Sequence, residues 1–253
     1  MHAYDCKQPP SETNDVRMTK STNASKSDTR RSSSRAPART PKNKPKRKYE
    51  GTVREQRKQE TLTRILDSAL IHFAEKGFEA ASVRDISADA GVTHAVIRLH
   101  FGSKELLWKA ALDYLFERWN RETAVEPGEP RTQDGKEGLK AFVLRFVRYS
   151  AKHPEHARLM LQESMRSNDR LTYAVKQHIS PAHNSFLPLV KRAIARGDIP
   201  KISPVSFIYI MTAASQLVFA LAEEAREIHG INVLDDAFVE QHAQSVVRLL
   251  FRN

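Results

Sequence analysis

From about residue 54 the apolar positions fall into helical register. Leu62, Ile65, Leu66, Ala69, Leu70 and Phe73 recur at i, i+3, i+4, i+7, i+8 and i+11, which is one face of a helix. Gly77, after Lys76, supplies a stop, because glycine accepts the left-handed backbone that follows a helix end. Phe78 then packs back on the same core. Ser82-Val83-Arg84-Asp85 opens a second helix, with Ser82 as cap and Asp85 three residues on in a capping-box arrangement. Ile86 and Ala90 face inward, while Ser87 and Gly91 let two short helices meet across a tight turn filled by Val92. Thr93 caps a third helix, His94 to about His100, held by Val96, Ile97 and Phe101, and His100 and Phe101 read as core. Gly102-Ser103 ends it, and Ser103 caps a fourth helix that carries Leu106, Leu107, Ala110, Ala111, Tyr114 and Leu115.

Residues 124–138 are rich in proline, glycine and charge and read as a loop. Beyond them the pattern predicts helices at about 137–152, 154–167, 169–179, 181–196, 204–229 and 235–251. His153-Pro154, Pro181, Gly197-Asp198-Ile199-Pro200, Ser203-Pro204 and Gly230 supply the breaks. The segment 204–229 is apolar on most sides and so must be covered all round. No alternating strand pattern competes. The chain reads as all-α with about nine helices: an N-terminal three-helix helix-turn-helix domain, then a C-terminal helical domain for ligand binding and dimerisation. The expected divisions are 1–50, a disordered basic tail; 51–121, the helix-turn-helix domain; and 122–253.

Composition changes this picture in one respect. The formal net charge of +11 looks like a signature of nucleic-acid binding. Residues 1–49, however, hold 13 Lys/Arg against 4 acidic residues, and residues 50–253 hold 28 against 26. The basic character therefore sits in the tail, densest at Pro41 to Lys48, which reads as a solvated linker or as an arm that tracks phosphates. Cys6, the single cysteine, excludes an internal disulfide. There is no signal-peptide pattern and no unbroken run of ~20 apolar residues, so a cytoplasmic protein without a membrane partner is expected. No phosphate loop, nucleophile motif or metal-ligand spacing is present, and neither an enzyme nor a cofactor is expected. His153 and His156, three apart, read as packing residues before metal ligands.

Three short helices around a glycine turn fit several small bundles. The residues themselves narrow the choice. Ile65 to Phe78 (ILDSALIHFAEKGF) resembles the first helix of the TetR family of transcriptional regulators. Ala81 to Thr93 (ASVRDISADAGVT) is similar to that family's second helix and turn, and His100 to Leu107 (HFGSKELL) to its third-to-fourth helix junction. The C-terminal half resembles the family more loosely. The resemblance implies a sequence-specific regulator, in most members a repressor, that binds double-stranded DNA as a homodimer on a palindromic operator and is released by a small, largely apolar effector. Carried over by position, it implies DNA contacts at Ser82, Arg84, Thr93, His94, Ala95, Arg98 and Lys104. Two positions depart from the family pattern. Ala95 replaces a glycine-like residue, and Arg98 replaces a tyrosine that touches the DNA backbone. Arg98 is left with a phosphate, a guanine edge or a surface salt bridge as partner. The resemblance further implies a pocket, for which Phe142, Phe146, Tyr149, Met160, Phe186 and Tyr209 are candidate lining residues, although such a stripe also reads as plain core. It implies a four-helix dimer interface, for which the candidates are Leu217, Val218, Leu221, Phe238, Val246 and Leu250. A regulator without a small-molecule effector, and a helical enzyme or structural protein with a vestigial helix-turn-helix, are the competing readings.

Overall fold

The computed structural model describes residues 46–125 and 135–252, with side chains from Val53 onward. The tail before Lys46, Cys6 included, and most of the expected loop at 124–138 lie outside the described residues. Every regular element among the described residues is helical: α1 (Lys46–Ala80), α2 (Val83–Asp89), α3 (His94–Phe101), α4 (Lys104–Glu122), α5 (Lys136–Lys152), α6 (Pro154–Ser164), α7 (Asp169–Ala174), a π turn (Val175–Ile179), α8 (Ser180–Arg196), α9 (Pro204–Ala220), α10 (Ala222–His229) and α11 (Asp236–Leu250). Lys46 to Glu50, expected within the tail, already belong to α1.

Two cores organise these helices. The first gathers Ile65, Leu70 and Phe73 of α1, Ile86 of α2, Ile97 of α3, and Leu107, Trp108, Leu112 and Leu115 of α4, and it also takes in Leu159 of α6. Phe78 stacks on Phe73 with ring centroids 5.9 Å apart. Gly77 is the stop the sequence announces, although the helical register resumes to Ala80. Its φ of 73° and ψ of 166° lie where essentially only glycine is found. Ser82 Oγ accepts from Asp85 N at 3.3 Å. The Asp85 carboxylate does not close the capping box and instead meets Lys76 Nζ at 3.4 Å. Ser103 Oγ accepts from Leu106 N at 3.1 Å. Thr93 stands at the α3 N-cap without a side-chain capping bond, which corrects its expected role as a cap. His100 is exposed rather than core, because the neighbouring inward positions are taken by Ile97 and Phe101.

The second core joins α5, α8, α9 and α11 around Phe142, Val143, Val147, Val190, Phe207, Phe219 and Ala243. Three helix predictions are corrected here. The segment expected as one helix over 204–229 is α9 and α10, bent by 66° at Leu221. Arg158 Nε donates to the Ala220 carbonyl at 2.9 Å, which supplies a partner at the break. The helix expected over 154–167 ends at Ser164. The helices expected at 169–179 and 181–196 are continuous, linked by the π turn. Pro181 lacks the N–H that an α register would bond to the Gln177 carbonyl, and the wide turn precedes it. Among the described residues no single helix is long and apolar enough to cross a membrane.

Candidate nucleic-acid interface and ligand cavity

Helix α3 is held to the first core by Ile97, which is 2% exposed, with Val96 and Phe101 packed beside it. That anchorage turns Thr93, His94, Ala95, Arg98, Leu99 and His100 outward together. Arg84 is exposed on α2, which packs against α3. Neither Arg84 nor Arg98 has an ion-pair partner among the described residues, so the surface salt bridge considered for Arg98 is not formed there. Leu99 is 81% exposed, an apolar side chain standing in water beside Arg98. The sequence reading missed Leu99; its helical phase opposite Ile97 was the available signal. Ser82 is half-buried at its cap. Lys104 is also half-buried, with its ammonium donating to the Glu79 carbonyl at 3.0 Å above the Phe78 ring.

The cavity, of about 620 Å³, lies between α4, α5, α6, α8 and α9. Phe142, Phe146, Met160, Phe186 and Tyr209 line it, joined by Phe116, Trp119, Ile208 and Met211, which the sequence reading did not single out. Tyr149 does not line it, and this is a correction. Its ring is buried behind the wall, with its hydroxyl 2.9 Å from His156 Nδ1. His156 does face the cavity. Burial pushes its imidazole down to about 3, so the ring is neutral. No lysine, arginine, aspartate or glutamate is among the lining residues.

The cavity and α1 are joined through α6. Gln162 Nε2 donates to the Ala74 carbonyl at 2.6 Å, and Gln162 Oε1 lies 2.7 Å from where a Cβ on Gly77 would stand. Arg118 on α4 is buried between Asp67 of α1 at 3.4 Å and Glu155 of α6 at 2.5 Å. Burial opposes the charge of Glu155, but His153, hydrogen bonding and Arg118 outweigh it and hold the carboxyl below its ordinary range. Arg170 pairs with Glu163 of α6 at 3.1 Å and lies over the Phe78 ring, 4.0 Å from its centroid.

The expected dimer residues differ in exposure. Leu217 and Leu221 are 40% and 42% exposed, Leu217 on α9 where it also borders the cavity and Leu221 at the break that follows; Val205 and Ile210 of α9 are exposed as well. Val246 and Leu250 are buried in the protomer's own core, which corrects their assignment to an interface, whereas Val218 and Phe238 pack against that core and are only partly buried. The 3.6-residue period of α11 identified an apolar face correctly, but α5 and α9 of the same chain cover it. Among the described residues no group of three His, Cys, Asp or Glu side chains is placed to hold a metal ion.

Known proteins share this organisation from residue 65 onward. Residues 65–111 match the family model for bacterial regulatory proteins of the tetR family, and residues 112–253 match that for the C-terminal region of YcdC-like proteins. The chain belongs to the TetR family. Among TetR-family relatives, the HTH-type transcriptional regulator RutR of Escherichia coli is 22% identical over 188 residues, 74% of this chain and 86% of that protein. The repressor NicS of Pseudomonas putida is 24% identical over 164 residues, 64% of this chain and 76% of that protein. Solved structures share the fold. AibR, crystallised with isovaleryl coenzyme A and operator DNA, superposes with a TM-score of 0.58 at 16% identity, covering 76% of this chain and 98% of that one. A TetR-family regulator from Marinobacter aquaeolei superposes with a TM-score of 0.57 at 19% identity, covering 79% and 100%. As members of this family are transcriptional regulators and not enzymes, so is this chain.

Proposed function

We propose that the protein is a cytoplasmic, homodimeric repressor that leaves a palindromic operator when a small, largely apolar effector fills the cavity. The observation that carries the reading is the outward face of α3, where Thr93, His94, Ala95, Arg98 and Leu99 stand exposed while Ile97 locks the helix to its core. A helix-turn-helix places such a face in the major groove. There His94 and Ala95 meet base edges, Arg98 reaches a phosphate or a guanine, and Leu99 packs on a thymine methyl. Arg84 and Ser82 approach the backbone from α2. Lys104 approaches it only after giving up the Glu79 carbonyl. Two copies paired through the exposed apolar residues of α9 set the spacing of the two half-sites.

Control runs through α6, since that helix presents His156, Ala157 and Met160 to the cavity and Glu155, Gln162 and Glu163 to the joint with the DNA-binding half. An effector that favours one position of α6 favours one separation of the recognition helices, a shift between two states. The test is selection of bound fragments from genomic DNA at near-physiological salt. A single palindromic motif is expected. Binding only at low salt, without sequence preference, contradicts the reading.

A further inference from the structure

The cavity wall has one polar atom at depth without a partner. His156 is 9% exposed, lines the cavity and presents its ring edge-to-face with Phe116, centroids 5.3 Å apart. Its Nδ1 is 2.9 Å from the Tyr149 hydroxyl, while Nε2 has no partner among the described residues. The other polar lining groups differ. Thr123 is buried, but its hydroxyl donates to the Trp119 carbonyl of its own helix at 2.8 Å. Asn120, Ser164, His183, Ser185, Thr212 and Gln216 are exposed or half-buried.

The neighbours fix which nitrogen carries the proton. Burial raises the Tyr149 phenol, so its hydroxyl keeps its hydrogen, and His156 Nδ1 is its one hydrogen-bonding partner among the described residues. The tyrosine hydrogen is then directed to His156 Nδ1, which accepts it. A neutral imidazole that accepts at Nδ1 holds its proton on Nε2. The cavity therefore presents one buried N–H donor, among mostly apolar lining residues with no lysine, arginine, aspartate or glutamate.

We infer that His156 anchors the effector, donating Nε2–H to the carbonyl oxygen of an uncharged and otherwise apolar ligand. This rests on the cavity being the effector site. A carboxylate would enter a wall with no cation to compensate its lost hydration. A pure hydrocarbon would leave the Nε2–H unsatisfied, and a site built around a hydrogen bond rejects the analogue that lacks it.

The test is a fluorescence titration of the full-length protein with prodan, an uncharged naphthyl ketone, and with its carbonyl-free analogue bearing propyl in place of propionyl. The wild-type protein is expected to bind prodan about tenfold more tightly than the analogue. His156→Phe abolishes that preference, whereas His156→Gln, which keeps an N–H donor, retains part of it. Equal affinity of the wild-type protein for the two probes overturns the anchor and leaves the cavity reading standing, as does an undiminished preference in His156→Phe. Binding of neither probe overturns the cavity reading and the anchor together. Should His156→Phe fail to fold, the wild-type comparison of the two probes decides the question without it.

Discussion

The core around Trp108 and the core around Phe142 are both all-helical, but they are finished differently. In the first, Phe73, Ile86, Leu107, Trp108 and Leu112 are fully buried, and α3 is clamped where its outward residues can be read. The second closes over Val147 and Phe219 yet leaves about 620 Å³ open beside Phe142 and Phe146. A tight interior gives a DNA reader fixed geometry, since close-packed cores transmit displacement rather than absorb it. A partly empty one gives a ligand somewhere to act. Helix α6 joins the first core to the cavity, with Leu159 and Met160 packed in the first core and Met160 also against the cavity.

The comparison is broken most severely by separating the two copies. Glutamates at both Leu217 and Leu221 place charge at the exposed end of α9. The double variant is expected to sediment as a monomer and to lose about a hundredfold or more in operator affinity, because the two half-sites are no longer engaged together. A dimer with normal affinity moves the interface elsewhere. Next in size is the joint. Arg118→Ala removes the buried guanidinium between Asp67 and the half-buried Glu155 and is expected to cost about 1.5–3 kcal/mol in urea unfolding. Arg118→Met combined with Glu155→Gln recovers much of that loss. Gly77→Ala is expected to cost about 1–3 kcal/mol, because the residue keeps a backbone conformation reserved for glycine and its new methyl meets Gln162. Adding Gln162→Ala relieves only the second part.

The smallest effect sharpens the reader itself. Arg98→Ala is expected to weaken operator binding several-fold. A uniform loss across fragments, with the salt slope reduced by ~0.9, assigns Arg98 to a phosphate. A loss confined to the operator motif assigns it to a base. No change in either removes Arg98 from the interface.

Legibility in the sequence followed the same division. In the first half each helix has one apolar face, and Ser82, Gly91 and Ser103 mark its turns, so the elements could be read from spacing, while the outward positions of α3 came from the family resemblance. Leu99 was the omission, although its helical phase opposite Ile97 was there to be read. The second half withholds this information for two reasons. Helix α9 is apolar nearly all round, so spacing cannot separate Phe207 and Met211, which are buried, from Val205 and Ile210, which are exposed. And the regular face of α11 states only that Val246 and Leu250 are covered, not whether the same chain or a second copy covers them. The break at Leu221 depends on Arg158, distant in sequence, reaching the Ala220 carbonyl, and no local signal announces it. The anchor at His156 likewise emerged only when Tyr149 was brought behind it by the fold.

The dependence of the reader on the cavity has a direct test that requires no knowledge of the effector. Met160→Trp fills the cavity from α6 in place of a ligand, and operator affinity is then measured on a fragment selected by the wild-type protein. The account predicts a folded dimer whose operator affinity is about tenfold or more weaker than wild type, an effect of the size common for coupling between sites. A folded Met160→Trp dimer that binds the operator with wild-type affinity contradicts it.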